Sequence, residues 1–297
     1  NLEEYSKVGL KGVEITPIYG VQGNDNNNIP FLSEKWMEML QYTLDEGKRL
    51  GVEIDMNTGT GWPFGGPNVK YEDAATKAIF QTYKVNGGKS ISLNIEVDDT
   101  KQRGVASLSK VMAYNDEKKT VDITSFANDG KLQWNAPKGE WDIIVLYNGK
   151  TLQKVKRAAP GGEGFVVNHF DKQAIERYLN NIDSAFKKSN TDYPNTFFND
   201  SYEVYGADWT PDFLDQFYKR RDYKLENYFP EFISKNRDDI TSRLICDYRE
   251  TISDLLIENF TSQWTYWAHS NGSITRNQAH GSPSNLVDTY AAVDIPE

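Results

Sequence analysis

The tetrapeptide Gly-Val-Glu-Ile occurs twice near the start of the chain, at residues 12–15 and 51–54. Each copy belongs to a short apolar run that ends in polar residues. Between the two copies, apolar residues recur at the 3.6-residue period over residues 33–51, which predicts an amphipathic helix. A strand, a helix and a second strand in this order predict a βαβ unit with parallel strands. This repeat restricts the chain to folds that are built on a parallel sheet.

Further strands and helices alternate in the second half of the chain. Apolar runs predict strands over residues 164–170, 196–200 and 273–281, and 3.6-residue patterns predict helices from residue 171, from Thr210-Pro211, over 238–269 and over 286–292. Five strands, each with a helix before or after it, predict an α/β protein with about five of the eight units of a (β/α)8 TIM-type barrel. An open, doubly wound parallel sheet is the alternative. Its dinucleotide-binding version is disfavoured because no GxGxxG follows the first strand.

The pattern changes to a period of two in the middle of the chain. Apolar residues alternate with polar ones between residues 80 and 157, and Asn86-Gly87 and Asp129-Gly130 are typical of tight turns. We therefore predict a small antiparallel β domain over residues 80–157, inserted between a first barrel segment, 1–79, and a second, 158–297.

Composition excludes some classes of protein. A formal net charge of −10 argues against a nucleic-acid-binding surface, which needs clustered Lys and Arg to neutralise phosphates. No apolar run approaches the 20 or so residues that cross a bilayer. The single cysteine, Cys246, allows no internal disulfide, and its place in a helical pattern predicts a small buried side chain.

Polar residues close each of the apolar strands. In a barrel the active site lies at the carboxyl ends of the strands, so these residues are the first candidates for a site. Buried polar groups cost free energy unless they are paired or hydrated, which makes their convergence on one edge hard to explain by folding alone. The candidates are Glu14, Thr16, Asp55, Asn57, Asn168, His169, Asn199, Asp200, Arg276, Gln278 and His280.

Two carboxylates, Asp200 and Glu203, follow the strand at 196–200. At this spacing one can enter the cleft as a general acid, with its pKa raised by burial and like charge, while the other stays ionised to hold a metal or a sugar hydroxyl. The alternative is that Asp200 caps a turn and Glu203 is a solvated surface residue. Two of the three histidines, His169 and His280, also lie at strand ends, whereas His269 at the end of a helix is interpreted as structural.

Trp62 lies in a glycine-rich loop, TGTGWPFGG, that follows the second strand. We expect this loop to present an aromatic ring at the mouth of the barrel. The loop lacks the lysine of a phosphate-binding loop.

Several of these segments resemble glycoside hydrolase family 106, the inverting, calcium-dependent α-L-rhamnosidases common among gut Bacteroidetes. The resemblance covers nearly all of the chain outside the inserted domain. It is carried by GVEITPIYG, GVEIDMNTGTGWPFGGP, VKRAAPGGEGFVVNHFD, NDSYE and above all RNQAHGSPSNLVDTYAAVDIPE.

The resemblance implies an inverting hydrolysis with one acid and one base. Glu203 matches the position of the acid. Glu297 is a candidate base or Ca²⁺ ligand, with Asn199 and Asp200 as further ligands, and a glutamate beyond residue 297 is the alternative base. Asp55, Trp62, His169, Asp200, Arg276, Gln278 and His280 are the expected substrate-binding residues.

The expected substrate is a rhamnosylated oligo- or polysaccharide of plant origin such as pectin. The expected location is periplasmic or secreted, with no nucleic-acid partner and no membrane span. A catalytically inactive carbohydrate-binding barrel, or a hydrolase of the same fold that acts on another sugar, remain the alternatives.

Overall fold

The computed structural model describes residues 1–117 and 119–297. It divides into two compact units. Unit 1 comprises residues 1–75, 152–205 and 253–297, and unit 2 comprises residues 76–151 and 206–252.

The chain forms fourteen strands within the described residues. In order they are β1 (Gly12–Ile15), β2 (Glu53–Asn57), β3 (Gly65–Gly66), β4 (Thr76–Asn86), β5 (Lys89–Asn94), β6 (Ser107–Tyr114), β7 (Thr120–Asp122), β8 (Ala127–Asn128), β9 (Lys131–Ala136), β10 (Glu140–Lys150), β11 (Phe165–Val166), β12 (Thr196–Asn199), β13 (Ile274–Asn277) and β14 (Ile295–Pro296).

Eight α-helices accompany the strands in the described part of the chain. They are α1 (Leu2–Lys7), α2 (Glu34–Leu50), α3 (Lys172–Ser189), α4 (Phe213–Arg221), α5 (Phe229–Phe232), α6 (Asp239–Leu256), α7 (Ser262–Ser270) and α8 (Leu286–Ala291). A π-helical turn, Ile257–Thr261, joins α6 to α7, so the helix predicted over 238–269 is divided in two. The helix predicted at Thr210-Pro211 begins later, at Phe213. None of the helices in the described residues is both long and apolar enough to cross a membrane.

Unit 1 is built on a parallel sheet of five strands in the order β1-β2-β12-β13-β14. The strands lie in the sheet in the order in which they occur in the chain, and a helix precedes each strand after the first. A doubly wound sheet reverses its strand order at a switch point, and this sheet does not. No closed sheet is found in the described residues.

One face of this sheet packs on helices. Phe197 on β12 is fully buried, with its ring centroid 6.4 Å from that of Phe186 on α3 and 4.7 Å from that of Trp267 on α7. On β2, Ile54 lies against Gly47 of α2. Since alternate residues of a strand point to opposite faces, the other face carries the residues that lie between these.

The other face is concave. Arg276 on β13 forms an ion pair with Glu14 on β1, three strands away. Neighbouring strands lie about 4.8 Å apart, so in a flat sheet these two strands would be separated by about 14 Å. The two side chains meet because both point to the inside of a curved sheet. Curvature and sequential strand order are the features that a barrel wall requires.

The strand predicted over residues 164–170 does not join the parallel sheet, which corrects that prediction. Only Phe165–Val166 is extended, and it pairs antiparallel with Gly65–Gly66. The fifth strand of the sheet is instead Ile295–Pro296, which is too short to give a periodic signal in the sequence.

Unit 2 contains two antiparallel sheets, β4-β10-β6-β7 and β5-β9-β8. Their shared core includes Trp134 and Trp141, which pack edge to face at 5.2 Å. Helices α4 and α5 and most of α6 belong to the same unit. Residues 206–252, assigned from the sequence to the second barrel segment, therefore group with the antiparallel sheets. Cys246 in α6 is exposed, which corrects the prediction that it is buried.

Candidate active site

Most of the candidate residues lie on the concave face of unit 1. The alignment of β1, β2, β12 and β13 places Glu14 beside Asp55, and Asn57 beside Phe198 and Arg276. Gln278 and Glu297 continue this ladder beyond the strand ends through backbone bonds to Asn199 and Asn277. The residues that share this face are Glu14, Thr16, Asp55, Asn57, Asp200, Arg276, Gln278 and Glu297.

Arg276 is the central cation of this face. Its guanidinium pairs with Glu14, lies 3.4 Å from the Glu297 carboxylate and stands 4.7 Å from the centroid of the Phe198 ring. Burial raises the pKa of Glu14, and the neighbouring charge of Asp55 acts in the same direction, although Thr16 and Arg276 oppose the shift. The face therefore holds two carboxylates on one guanidinium, with Asp55 beside the first of them, Glu14, which has an increased affinity for a proton.

Three polar atoms on this face are buried without a hydrogen-bond partner in the protein. They are Oδ1 of Asp55, Nδ2 of Asn57 and Nε of Arg276. An unpaired buried polar atom costs about 1–3 kcal/mol, so such atoms are normally satisfied by water or a ligand. Sugar hydroxyls both donate and accept hydrogen bonds, and they match this acceptor and these two donors.

Glu203 follows β12 and lies in a second polar cluster. Its carboxylate forms an ion pair with Lys156 and accepts a 3.2 Å hydrogen bond from the Tyr205 hydroxyl. The Trp62 side chain is a further hydrogen-bond partner. The side chain of Gln153 bonds to the Glu203 carbonyl at 2.7 Å and so fixes the loop.

The pKa of Glu203 shifts in the direction opposite to our expectation. The hydrogen bond from Lys156 lowers it, burial opposes this effect only in part, and the bonds from Tyr205 and Trp62 add to the lowering. Asp200 Oδ1 accepts the backbone N–H of Ser201 at 2.7 Å. In this arrangement Glu203 is an ionised carboxylate held by a cation.

A close backbone contact brings Trp62 and Lys156 together. The N–H of Lys156 donates to the Trp62 carbonyl at 2.7 Å. At Gly61 the backbone φ is +137°, and a Cβ there would lie 2.1 Å from the Lys156 carbonyl oxygen. Only glycine fits this position, which explains why the loop that carries Trp62 is rich in glycine.

His169, one of the expected substrate-binding residues, is buried among aromatic side chains. It is 2% exposed, its Nδ1 donates to the Val167 carbonyl at 2.9 Å, and it packs edge-on against Phe260 and Tyr202. Burial lowers the pKa of His169 to about 3. The imidazole is a neutral core group, so its place in the fold favours a structural role over sugar binding.

The other histidines differ from it. His280 is exposed, and its backbone carbonyl accepts a hydrogen bond from the Tyr202 N–H at 2.9 Å. His269 pairs with Asp294 at 2.9 Å, in agreement with a structural interpretation.

The predicted calcium ligands are not assembled. Asn199 lies on the helix-facing side of the sheet with Phe197, and its amide donates to Asn277 at 2.8 Å. Glu297 faces Arg276 instead of another oxygen ligand. Among residues 1–117 and 119–297, no three His, Cys, Asp or Glu side chains stand together as a metal-binding group. In this arrangement Asn199, Asp200 and Glu297 do not fit a Ca²⁺ ion.

Residues that the strand-end argument missed are Lys156, Arg157, Tyr19 and Tyr205. All four border the Glu203 cluster. Lys156 and Arg157 lie in the VKRAAPGGEG segment that carries part of the family resemblance. That segment was the available signal, but it precedes the strand predicted over 164–170 and contains no strand end to direct attention to it.

The family model of glycoside hydrolase family 106, described as alpha-L-rhamnosidase, matches residues 1–105 and 98–294. The chain belongs to this family. A Formosa agariphila protein named "Putative beta-glucuronidase" is 26% identical over 341 aligned residues, which cover 99% of this chain and 29% of that protein.

A rhamnosidase from Novosphingobium sp. PP1Y has a similar structure, with a TM-score of 0.76 at 16% identity. The match covers 99% of this chain and 46% of the rhamnosidase. At this identity the likeness shows the fold alone. The chain spans less than half the length of either of these two proteins.

Proposed function

We propose that this chain forms part of the catalytic domain of a glycoside hydrolase that removes α-L-rhamnose. Family membership supports the reaction class. The observation that carries the proposal is the concave face of unit 1, where Glu14 and Glu297 pair with Arg276, and Asp55 lies beside Glu14, at the carboxyl ends of parallel strands. Sites in β/α folds form at this edge.

We place Glu203 at the reaction centre as the general acid. In an inverting hydrolysis, the acid protonates the glycosidic oxygen as its bond to the sugar carbon breaks. In the same step a base removes a proton from the water that attacks the opposite side of that carbon. Glu203 must first gain a proton, so its ion pair with Lys156 has to open when the sugar enters. The base is Glu297 or a carboxylate outside these 297 residues.

The test is the Glu203→Gln variant of the full-length protein, assayed on an aryl α-L-rhamnoside. We expect kcat to fall by about 10²- to 10⁴-fold, the usual contribution of a general acid or base. Glu176→Gln, which removes an exposed carboxylate from α3, is the matched control and should leave turnover unchanged. Undiminished turnover in Glu203→Gln would remove Glu203 from the reaction centre.

The stereochemistry and the calcium requirement need their own measurements. NMR of the first product formed should show the inverted anomer; a retained anomer would exclude the two-carboxylate inverting scheme. Calcium dependence remains a prediction from the family, and activity that survives a chelator would contradict it.

We expect the substrate to be a terminal rhamnose of pectin or a related plant polysaccharide. A second candidate activity is favoured by the relative from Formosa agariphila, whose name refers to β-glucuronides. A panel of aryl glycosides separates the two, because cleavage of the β-D-glucuronide and not the α-L-rhamnoside would replace our proposal. Binding of oligosaccharide without any product would instead indicate an inactive binding protein.

We also infer that the protein acts in the periplasm or outside the cell, since its proposed substrates are extracellular polysaccharides. Cell fractionation tests this inference, and recovery of the protein in the cytoplasm alone would contradict it.

A further inference from the structure

Three cations occur within four residues beside Glu203. Residues 154–157, Lys-Val-Lys-Arg, form what we call the basic segment, in a chain with 33 basic and 43 acidic residues. Lys156 of this segment pairs with Glu203, which fixes the place of the segment at the proposed reaction centre. The inference below rests on the proposed function and concerns the substrate of that site.

Arg157 lies between two aromatic rings and not against a carboxylate. Its guanidinium carbon stands 5.3 Å from the centroid of the Tyr19 ring and 5.8 Å from that of Trp62. The Arg157 side chain is exposed. A guanidinium that packs on rings keeps its N–H donors available, because the ring contacts use its faces and not its edges.

The backbone holds Arg157 in this position. Its φ is +59°, in the left-handed region that is strained for a residue other than glycine. The Arg157 carbonyl accepts the Tyr19 N–H at 2.9 Å, which stabilises this conformation. Strain of this kind often occurs at ligand-binding positions.

Lys154 adds a second available cation. Lys154 and Lys156 are both extended and two residues apart, so they share a face, while Val155 between them is buried. The Lys154 ammonium stands 5.9 Å from the centroid of the Phe165 ring. Over the described residues, neither Lys154 nor Arg157 has a carboxylate within the ion-pair distance that Lys156 has from Glu203.

We propose that Arg157 and Lys154 bind an anionic substituent of the sugar next to the cleaved bond, namely the carboxylate of a uronic acid. A guanidinium edge matches a planar carboxylate with two parallel hydrogen bonds. A sulfate ester shares the negative charge but not the planar geometry. The substrate is thus a rhamnosyl uronate, and the basic segment selects it over neutral rhamnosides.

The experiment compares the full-length protein with Arg157→Gln on three substrates. They are an α-L-rhamnosyl uronate disaccharide, its methyl ester and a neutral aryl α-L-rhamnoside. For Arg157→Gln we expect kcat/KM on the free acid to fall about tenfold, the scale of one charge-assisted hydrogen bond in partly exposed surroundings. The methyl ester and the aryl rhamnoside should change less than twofold by the same argument.

Lys35→Gln, which removes an exposed charge from α2, is the matched control and should behave as wild type on all three substrates. Equal losses on acid and ester would overturn the inference, as would a preference for a sulfated analogue over the uronate. Salt dependence of the wild-type protein provides a test that needs no variant. High salt should weaken binding of the acid, measured by calorimetry, and leave binding of the ester unchanged.

The two proposals fail separately. If neither substrate is hydrolysed but the acid still binds more tightly than the ester, the proposed reaction is wrong and the uronate site stands. If both are hydrolysed at equal rates and bound equally, the reaction stands and the uronate site is wrong.

Discussion

At Glu203, a single ion pair determines which protonation state the free protein holds. Lys156 lowers the pKa of the Glu203 carboxyl, whereas a general acid needs its proton near the working pH. Removing the cation should therefore increase the fraction of Glu203 that carries a proton in the free protein.

The Lys156→Met variant tests this relation. Loss of an adjacent opposite charge raises the pKa of a carboxyl. If Glu203 is the acid, the alkaline limb of the kcat/KM profile should move to higher pH. Lys188→Met, which removes an exposed lysine of α3, should leave the profile in place. An unchanged profile in Lys156→Met would mean that the ion pair does not control the reaction.

The buried imidazole of His169 should make the protein sensitive to acid. Its pKa is about 3 in the folded state and about 6.5 when exposed, so the unfolded chain binds a proton more readily. The stability that this group contributes is complete above pH 6.5 and is lost as the pH falls toward 3. The slope that one such group adds is at most about 1.4 kcal/mol per pH unit.

In the His169→Gln variant, the free energy of unfolding should be lower by about 1–3 kcal/mol at neutral pH, because an aromatic neighbour of Phe260 is lost. The decrease between pH 6.5 and 4.5 should be shallower than in the wild type. Denaturant unfolding across this range measures both effects. His280→Gln, at an exposed site, should keep the wild-type slope, and the same slope in His169→Gln would show that His169 titrates normally.

Among the elements, α2 shows why helix propensity alone misleads. Gly47 is buried in its last turns, and alanine there would favour the helix by about 1 kcal/mol. A Cβ at Gly47 would, however, lie 2.7 Å from the Ile54 side chain on β2 and 2.7 Å from the Val52 carbonyl oxygen, which directly precedes that strand. Because one of these neighbours is backbone, it cannot move aside easily.

Gly47→Ala should therefore destabilise the protein by about 1–2 kcal/mol, since overpacking exceeds the gain in propensity. Thermal and denaturant unfolding measure the change. Tyr42→Ala, at a 61% exposed position of the same helix, gains propensity without a clash and should change stability little. A more stable Gly47→Ala protein would mean that α2 can shift away from β2.

The elements that the sequence predicted well are those with a strong local signal. The Asp171 carboxylate caps α3 by accepting the N–H groups of Gln173 and Ala174, as expected from the cap and the apolar stripe behind it. The strand predicted over 164–170 failed because burial on both faces gives the same apolar run in a short antiparallel pair as in a parallel sheet. Which of the two pairings residues 165–166 adopt depends on Gly65–Gly66, about a hundred residues away, so no local pattern predicts it.

For the molecule as a whole, the division into units could not be foreseen. Tyr114 on β6 donates to the Glu226 carbonyl at 2.5 Å, and the Phe80 ring on β4 lies 5.1 Å from that of Phe229. These contacts join segments that are more than a hundred residues apart and place the helices of residues 206–252 with the antiparallel sheets. In contrast, the sequence predicted that the polar residues at the strand ends lie together, and most of them share the concave face. That prediction depends only on the topology of a parallel sheet.

The curvature of the unit 1 sheet leads to a quantitative prediction. If Arg276 and Glu14 meet across three strands, their contributions to stability must be coupled. Arg276→Met leaves Glu14 close to Asp55 without its cation, so it should destabilise the protein by about 2–4 kcal/mol at neutral pH. Glu14→Gln alone should destabilise the protein less than Arg276→Met. The double variant should be more stable, by about 1 kcal/mol or more, than the sum of the two single effects predicts.

The coupling should also depend on pH. Burial raises the pKa of Glu14, so acidification neutralises it early, and the penalty of Arg276→Met should shrink as the pH falls below neutral. Arg276→Met combined with Glu53→Gln, which removes an exposed carboxylate from β2, should be additive at every pH. Additive behaviour of the Arg276 and Glu14 variants would mean that the two strands do not face each other, and the sheet would then lack the curvature on which a barrel depends.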